Sequence, residues 1–276
     1  MLLSPKEKKR LYHQYGPCAL VTGASSGIGK ELAEKLASAG FDLIINARNE
    51  NNLLAIKESI QLKYNVQVDV MPIDLSVEGN TDVLIQKIHH KNIGLVVLAA
   101  GYGTSGLLKE SSLHTEINML RLNCESVLIL SHYYAQRFSE QRRGGILFLS
   151  SMVAFQGVPY AAHYAATKAY IQSLAEGMSE ELKPFHVSVL AAAPGPVVSG
   201  FGSRANMTMG KALSPEEVGV PILNALGRHN TVFPGWLTKL LVYSLRTLPR
   251  WGKIKVMKQV MSGMANQTRN TEGLVN

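Results

Sequence analysis

Short apolar runs alternate with helix-length amphipathic stretches from residue 17 to about residue 234, and that order confines the chain to a parallel sheet covered by helices. Hairpins need only a turn between strands, whereas parallel neighbours need a crossover of the length seen here. The runs 17–22, 41–46, 67–71, 94–99, 145–150 and 186–192 read as strands, with 231–233 as a short seventh at the edge. In the first helix Ile28, Leu32 and Leu36 recur every fourth residue, and Gly40 stops the run. Further helical patterns cover 53–63, 81–90, 113–139 and 162–182. The expected fold is a Rossmann-type, doubly wound α/β sheet of about seven strands with helices on both faces.

With 46% hydrophobic residues in 276, the chain can bury one substantial core, assigned to residues 1–235. After Pro234 the character changes. Residues 236–245 form a short apolar helix ended by Pro249, residues 250–264 a basic, methionine-bearing one, and the last dozen read as irregular. Residues 236–276 are therefore expected as a basic helical extension, not an independent domain. From Arg228 onward eight basic residues face one acid, Glu272, so this stretch supplies +7 of the net +8. A net positive charge concentrated in a tail, without interleaved aromatics on a recognition fold, argues against a nucleic-acid binder. Two distant cysteines give neither a disulfide framework nor a zinc spacing, and no metal site is expected. The N-terminus has no signal-peptide pattern and no apolar run approaches the roughly 20 residues of a membrane span, so a cytoplasmic location is expected.

The stretch Thr22-Gly23-Ala24-Ser25-Ser26-Gly27-Ile28-Gly29 joins the first strand to the first helix. Glycines there let the backbone turn tightly and approach a pyrophosphate, while the helix N-terminus presents free N–H groups and a positive dipole end. Where the second strand ends, Ile45-Asn46-Ala47-Arg48 carries no acid to hold a ribose 2′-hydroxyl. Arg48 instead suits a 2′-phosphate by charge and fork geometry, which favours NADP(H) over NAD(H).

A lone Tyr-x3-Lys match is weak, but Tyr164 and Lys168 stand on one face of an alanine-rich helix, and Ser151 lies just past the apolar strand 146–149. Reducing a ketone needs a proton on oxygen as hydride reaches carbon. A phenol supplies it if a nearby ammonium brings its pKa toward neutrality, and a serine hydroxyl holds the oxygen in place.

On these residues the chain resembles the short-chain dehydrogenase/reductases over roughly residues 15–235. The likeness rests on TGASSGIG at 22–29, Asp74-Leu75, Ala100-Gly101, Asn123, Ser151, Tyr164, Lys168 and PGPVVS at 194–199. It implies strand order 3-2-1-4-5-6-7 and hydride exchange between a nicotinamide and a carbonyl or secondary alcohol. Asp74 would contact the adenine amino group, and Asn123 would hold a water relaying protons to Lys168. Pro194, Gly195, Val197 and Ser199 would wall the nicotinamide amide. Two departures stand out: Leu98-Ala99-Ala100-Gly101 replaces the common Asn-Asn-Ala-Gly, removing a side-chain bond between strands, and Ser199 replaces threonine but keeps the hydroxyl.

Residues 200–210 resemble the family's substrate lid. Met152, Val153, Phe155 and His163 are expected to line an apolar pocket, which implies a lipophilic substrate. A homo-oligomer, dimer or tetramer, is expected. The extension has three readings: a cap over the site, a subunit contact, or peripheral contact with an anionic membrane surface. Rival functions are a non-catalytic NADP(H) sensor, which would have no need of Ser151, Tyr164 and Lys168, and a membrane-surface interaction protein that uses only its tail.

Overall fold

The computed structural model describes residues 1–200, 202, 205 and 212–272, with side chains left out of account for 264–272. Seven parallel strands form one sheet in the order β3-β2-β1-β4-β5-β6-β7. They are β1 (Cys18–Thr22), β2 (Asp42–Ala47), β3 (Val68–Pro72), β4 (Ile93–Leu98), β5 (Gly144–Leu149), β6 (Val187–Ala192) and β7 (Thr231–Val232). Each lies within about a residue of its predicted run, and the order is the one the resemblance implied.

Every residue of β1 and β4 is buried, as continuous apolar runs require when helices cover both faces. The period of two sorts them. Ala19 and Val21 of β1 pack into one layer with Leu32 and Leu36 of α2 (Gly27–Ser38), Leu53 and Ile60 of α3 (Glu50–Lys63), and Leu11 of α1 (Pro5–Tyr15). Cys18 and Leu20 face the other layer, with Leu84 and Ile88 of α4 (Asn80–Ile88). The predicted helix over 113–139 spans this side as α5 (Leu113–Leu120) and α6 (Ser126–Gln141), joined by a π turn at Arg121–Glu125. In that layer α6 buries Leu130, Tyr134 and Phe138, beside Ile171 and Ala175 of α7 (Ala162–Glu181).

Two helices had no counterpart in the sequence reading. In α1, Pro5 takes the first turn and the Ser4 hydroxyl accepts from the Glu7 N–H at 3.2 Å. In α8 (Pro215–Ala225), Ser214 and Glu217 close a capping box. The two are fastened together. Arg10 donates to the carbonyls of Leu226 (2.8 Å) and Leu223 (3.0 Å), while Glu7 pairs with Arg10 at 2.8 Å and Arg228 at 2.7 Å. Burial alone would push the Glu7 carboxyl up, but the two guanidinium partners outweigh it and hold it below the usual range.

Beyond β7 follow α9 (Trp236–Arg246) and α10 (Arg250–Glu272), whose backbone continues to residue 272, into the stretch expected to be disordered. Thr238, Val242 and Leu245 of α9 recur at i, i+4 and i+7 and are buried, as are Met257 and Met261 of α10. The extension thus packs on the body. Among the described residues no helix is long and apolar enough to cross a membrane.

Candidate active site

The chain leaves β3 at one edge and re-enters the sheet at β4 beside β1, so the crossovers from β1 and β4 diverge and open a crevice at their carboxyl ends. A cleft of about 610 Å³ lies there. Its floor is the glycine loop. Gly23 (φ +67°) and Gly27 (φ +58°) are in the left-handed region, and side chains on them would fall 2.7 Å from Ala100 Cα and 2.6 Å from Ser199 Cβ. Ser26 leads into α2 without a side-chain cap, so the first N–H groups of that helix are not met by the residue before it. A backbone cradle that admits no Cβ, behind an uncapped helix N-terminus, fits a pyrophosphate.

Ser25, Ile28, Gly29, Asp74, Leu75, Gly101, Pro194, Gly195 and Val197 line the same cleft. The missing asparagines after β4 have a substitute. Thr22 Oγ1 accepts from the N–H groups of Ala99 and Ala100, each at 3.1 Å, and ties β1 to the β4 loop. Arg48 stands at the end of β2, largely exposed, with Nη1 4.0 Å from Asp74 Oδ2. Asp74 Oδ1 is taken by the Ser76 N–H (2.9 Å) and hydroxyl (2.7 Å), so the carboxylate is held in place and turns its second oxygen toward Arg48. Arg48, Asp74 and Lys168 are the charged residues of the lining, a net positive set that suits an anionic dinucleotide. Asn49 and Asn52 also line the pocket beside Arg48; the sequence reading passed over them.

Ser151, Tyr164 and Lys168 converge deeper in the cleft. Ser151 stands just past the end of β5, where its hydroxyl hydrogen-bonds Tyr164 and accepts the Val153 N–H at 3.4 Å. Lys168 Nζ lies 5.8 Å from the Tyr164 ring centroid and donates to the Leu149 carbonyl at 2.8 Å. The electrostatics differ from the expectation that Lys168 draws the phenol toward neutrality. Burial pushes the Tyr164 phenol up, opposed by the Ser151 bond. Lys168, buried and without a carboxylate, is itself pulled down to about 8. The ammonium points at a backbone carbonyl and lies alongside the ring, which is why its influence on the phenol is small.

Asn123 alone among the predicted site residues does not line the cleft. It is fully buried on the π turn; its Oδ1 accepts from Tyr102 N–H (3.2 Å), and Nδ2 donates to the Tyr102 carbonyl (2.9 Å) and Thr167 Oγ1 (3.0 Å). The side chain therefore clamps the β4 loop to α7. His163 and Phe155 also depart from expectation, for neither lines the cleft. His163 Nδ1 sits 2.6 Å from Oε2 of buried Glu116 on α5, and Phe155 packs on Phe233. Met152 and Val153 do face the cleft. Of the segment expected as a lid, residues 201, 203, 204 and 206–210 lie outside the described residues.

The ceiling is the extension. Leu237, Leu241 and Leu245 of α9 and Val256, Met257, Val260 and Met261 of α10 line the cleft opposite the glycine loop. Leu245, Met257 and Met261 share an apolar cluster with Tyr164 and Met119. Thr238 comes so close to the nicotinamide-wall segment that a Cβ on Gly195 would lie 2.6 Å from its hydroxyl. Residues of the extension thus cap the site.

Comparison with known proteins agrees with this geometry. Residues 17–209 match the family model described as short chain dehydrogenase. A very-long-chain 3-oxoacyl-CoA reductase-like protein of Arabidopsis thaliana is 32% identical over 198 residues, covering 70% of this chain and 62% of that one. A 7beta-hydroxysteroid dehydrogenase of Clostridium sardiniense is 27% identical over 230 residues, covering 82% and 88%. A solved structure of a 7beta-hydroxysteroid dehydrogenase, at 25% identity, superposes with a TM-score of 0.82 over 90% of this chain and 98% of its own. With its model matched over most of the chain and its sheet order reproduced strand for strand, the protein belongs to the short-chain dehydrogenase family of oxidoreductases.

Proposed function

We propose that the protein is an NADP(H)-dependent reductase or dehydrogenase acting on the carbonyl or secondary alcohol of a bulky, lipophilic substrate. The observation that carries this reading is the hydrogen-bonded Ser151–Tyr164 pair beside Lys168, set between a phosphate cradle and an apolar ceiling. NADP(H), when bound, supplies or takes the hydride. Gly23, Ser25, Ser26 and Gly27 would hold its pyrophosphate, Arg48 its 2′-phosphate, and Pro194, Gly195, Val197 and Ser199 its amide end. Ser151 orients the substrate oxygen, and Tyr164, kept protonated by burial, donates the phenolic proton to it in the direction of reduction. Lys168 supports the returning proton, and Asn123 positions the loop and helix between which it moves.

The preference for NADP(H) rests on Arg48 and on the absence of an acid at the end of β2. A lipophilic substrate is supported by the leucine, valine and methionine ceiling, and by relatives named for steroid and long acyl substrates. A homo-oligomer remains part of the proposal, checked by sedimentation velocity.

Tyr164→Phe is the test. Turnover of ketones, read as NADPH absorbance at ~340 nm, should fall about 10²–10⁴-fold while NADPH affinity stays. Unchanged turnover refutes the assigned role, and a parent chain that binds NADPH but reduces no carbonyl is a sensor.

A further inference from the structure

We propose that the outward faces of α9 and α10 dock the protein on an anionic lipid bilayer, so that the cleft opens into the layer that holds its substrate. The inference rests on the lipophilic-substrate reading above and assigns where that substrate is met.

Three observations converge on these helices. The first is exposed apolar surface. In α9 the stripe Thr238, Val242, Leu245 turns inward, yet Trp236 (75% exposed), Leu240 (54%) and Tyr243 (54%) face out, and Trp251 (65%) stands at the start of α10. Large aromatic and leucine side chains gathered on two adjacent helices are not the scattered apolar residues of an ordinary surface. Tryptophan, apolar in body with one N–H, is suited to the boundary between acyl chains and headgroups.

The second is charge. From Trp236 to Gly263 there are six basic residues (Lys239, Arg246, Arg250, Lys253, Lys255, Lys258) and no acid. On α9, Lys239 and Arg246 fall between the buried stripe and the exposed apolar face, the arrangement of a helix lying in an interface with its cations at headgroup level. The same charge argues against a second copy as the occupant, since a two-fold contact would set six cations against six.

The third is continuity with the site. Leu237, Leu241, Val256 and Val260 line the cleft and are also exposed, so the apolar wall runs without a polar break from the interior to the surface. A lipophilic molecule leaving a bilayer at this mouth stays in contact with apolar side chains until it meets Tyr164.

Both tryptophans of the chain lie on this face, so intrinsic fluorescence reports on it selectively. The full chain should pellet with vesicles of phosphatidylcholine and phosphatidylglycerol, far less with phosphatidylcholine alone, and its emission should shift to the blue. Both signals should fade as salt rises from roughly 50 to 500 mM. Trp236→Ser/Leu240→Ser/Trp251→Ser should lower the bound fraction about tenfold or more. Lys239→Gln/Lys255→Gln/Lys258→Gln, which keeps both indoles, should abolish the preference for the anionic vesicles. Neither variant should change Tm or turnover of a water-soluble ketone. No pelleting of the parent with anionic vesicles overturns the proposal, and so does equal binding by parent and triple serine variant. Loss of self-association in that variant, with no vesicle binding by the parent, assigns the face to a protein contact and overturns it as well. A parent that binds vesicles but reduces no carbonyl defeats the reductase reading alone.

Discussion

At the scale of single residues, the cleft depends on two cations in opposite settings. Arg48 is largely exposed and tethered loosely to Asp74, which leaves its guanidinium available to a phosphate. Arg48→Ala should weaken NADPH about 10–100-fold and NADH hardly at all, measured as Kd by fluorescence titration, since charge-assisted bonds contribute about 1.5–3 kcal/mol. Equal losses would end the NADP(H) assignment. Lys168 is the reverse case, buried and pulled down to about 8 from 10.5. Its folded pKa lies below its unfolded one, so the unfolded chain binds more protons between those values and stability rises with pH across that window. Lys168→Met should remove this rise and leave Tm at pH 7 no lower than the parent's, while turnover falls by about 10² or more. A sharp loss of Tm would show that the bond to the Leu149 carbonyl outweighs the cost of the buried cation.

At the scale of elements, periodic apolar runs made the sheet and most helices legible, while the two remaining helices are either strongly polar in composition or interrupted by apparent breakers. In α1 only Leu11 and Tyr15 are buried apolar residues among eleven, and charged neighbours mask them. In α8 the capping box was readable at Ser214 and Glu217, but Gly219 and Pro221 look like breakers. The site was legible wherever chemistry sits in a local motif: the glycine loop, Tyr164 with Lys168, and Ser151. Contacts between distant segments were not. Glu116 reaches His163 across 47 positions and Thr22 reaches Ala100 across 78, and no local pattern announces either. The fastening of α1 to α8 yields a prediction of its own. Glu7→Gln should lower stability by about 1 kcal/mol, a Tm drop of about 3 °C for a domain of this size. The folded pKa of Glu7 is depressed, so its contribution is present at neutral pH and lost as pH falls through the folded value. Thermal melts of parent and variant should therefore converge in acid; a constant gap would mean the loss is not ionic.

At the scale of the whole molecule, the cleft is built from two parts with different duties. Residues up to β7 supply the glycine loop and the Ser151–Tyr164 pair, and the extension supplies the apolar ceiling, which on the proposed reading is the surface a substrate would touch. Changes in the ceiling should therefore alter substrate affinity without altering that of the cofactor. Met257→Ala removes two to three methylene equivalents from beside Tyr164, a loss of about 2 kcal/mol at ~0.8 kcal/mol each. KM for a bulky ketone should rise roughly tenfold or more, with KM for NADPH constant. If both constants rise together, the helix supports the fold as a whole and not the substrate end alone.

That division also sets an order of assembly during synthesis. The ribosome releases the sheet and its glycine loop before α9 and α10 emerge, so a nascent chain carries the floor of the cleft while it still lacks a roof. Translation halted after β7 would leave Tyr164, Met119 and Met152 without the side chains of α9 and α10 that pack on them, an apolar scar of the kind chaperones recognise.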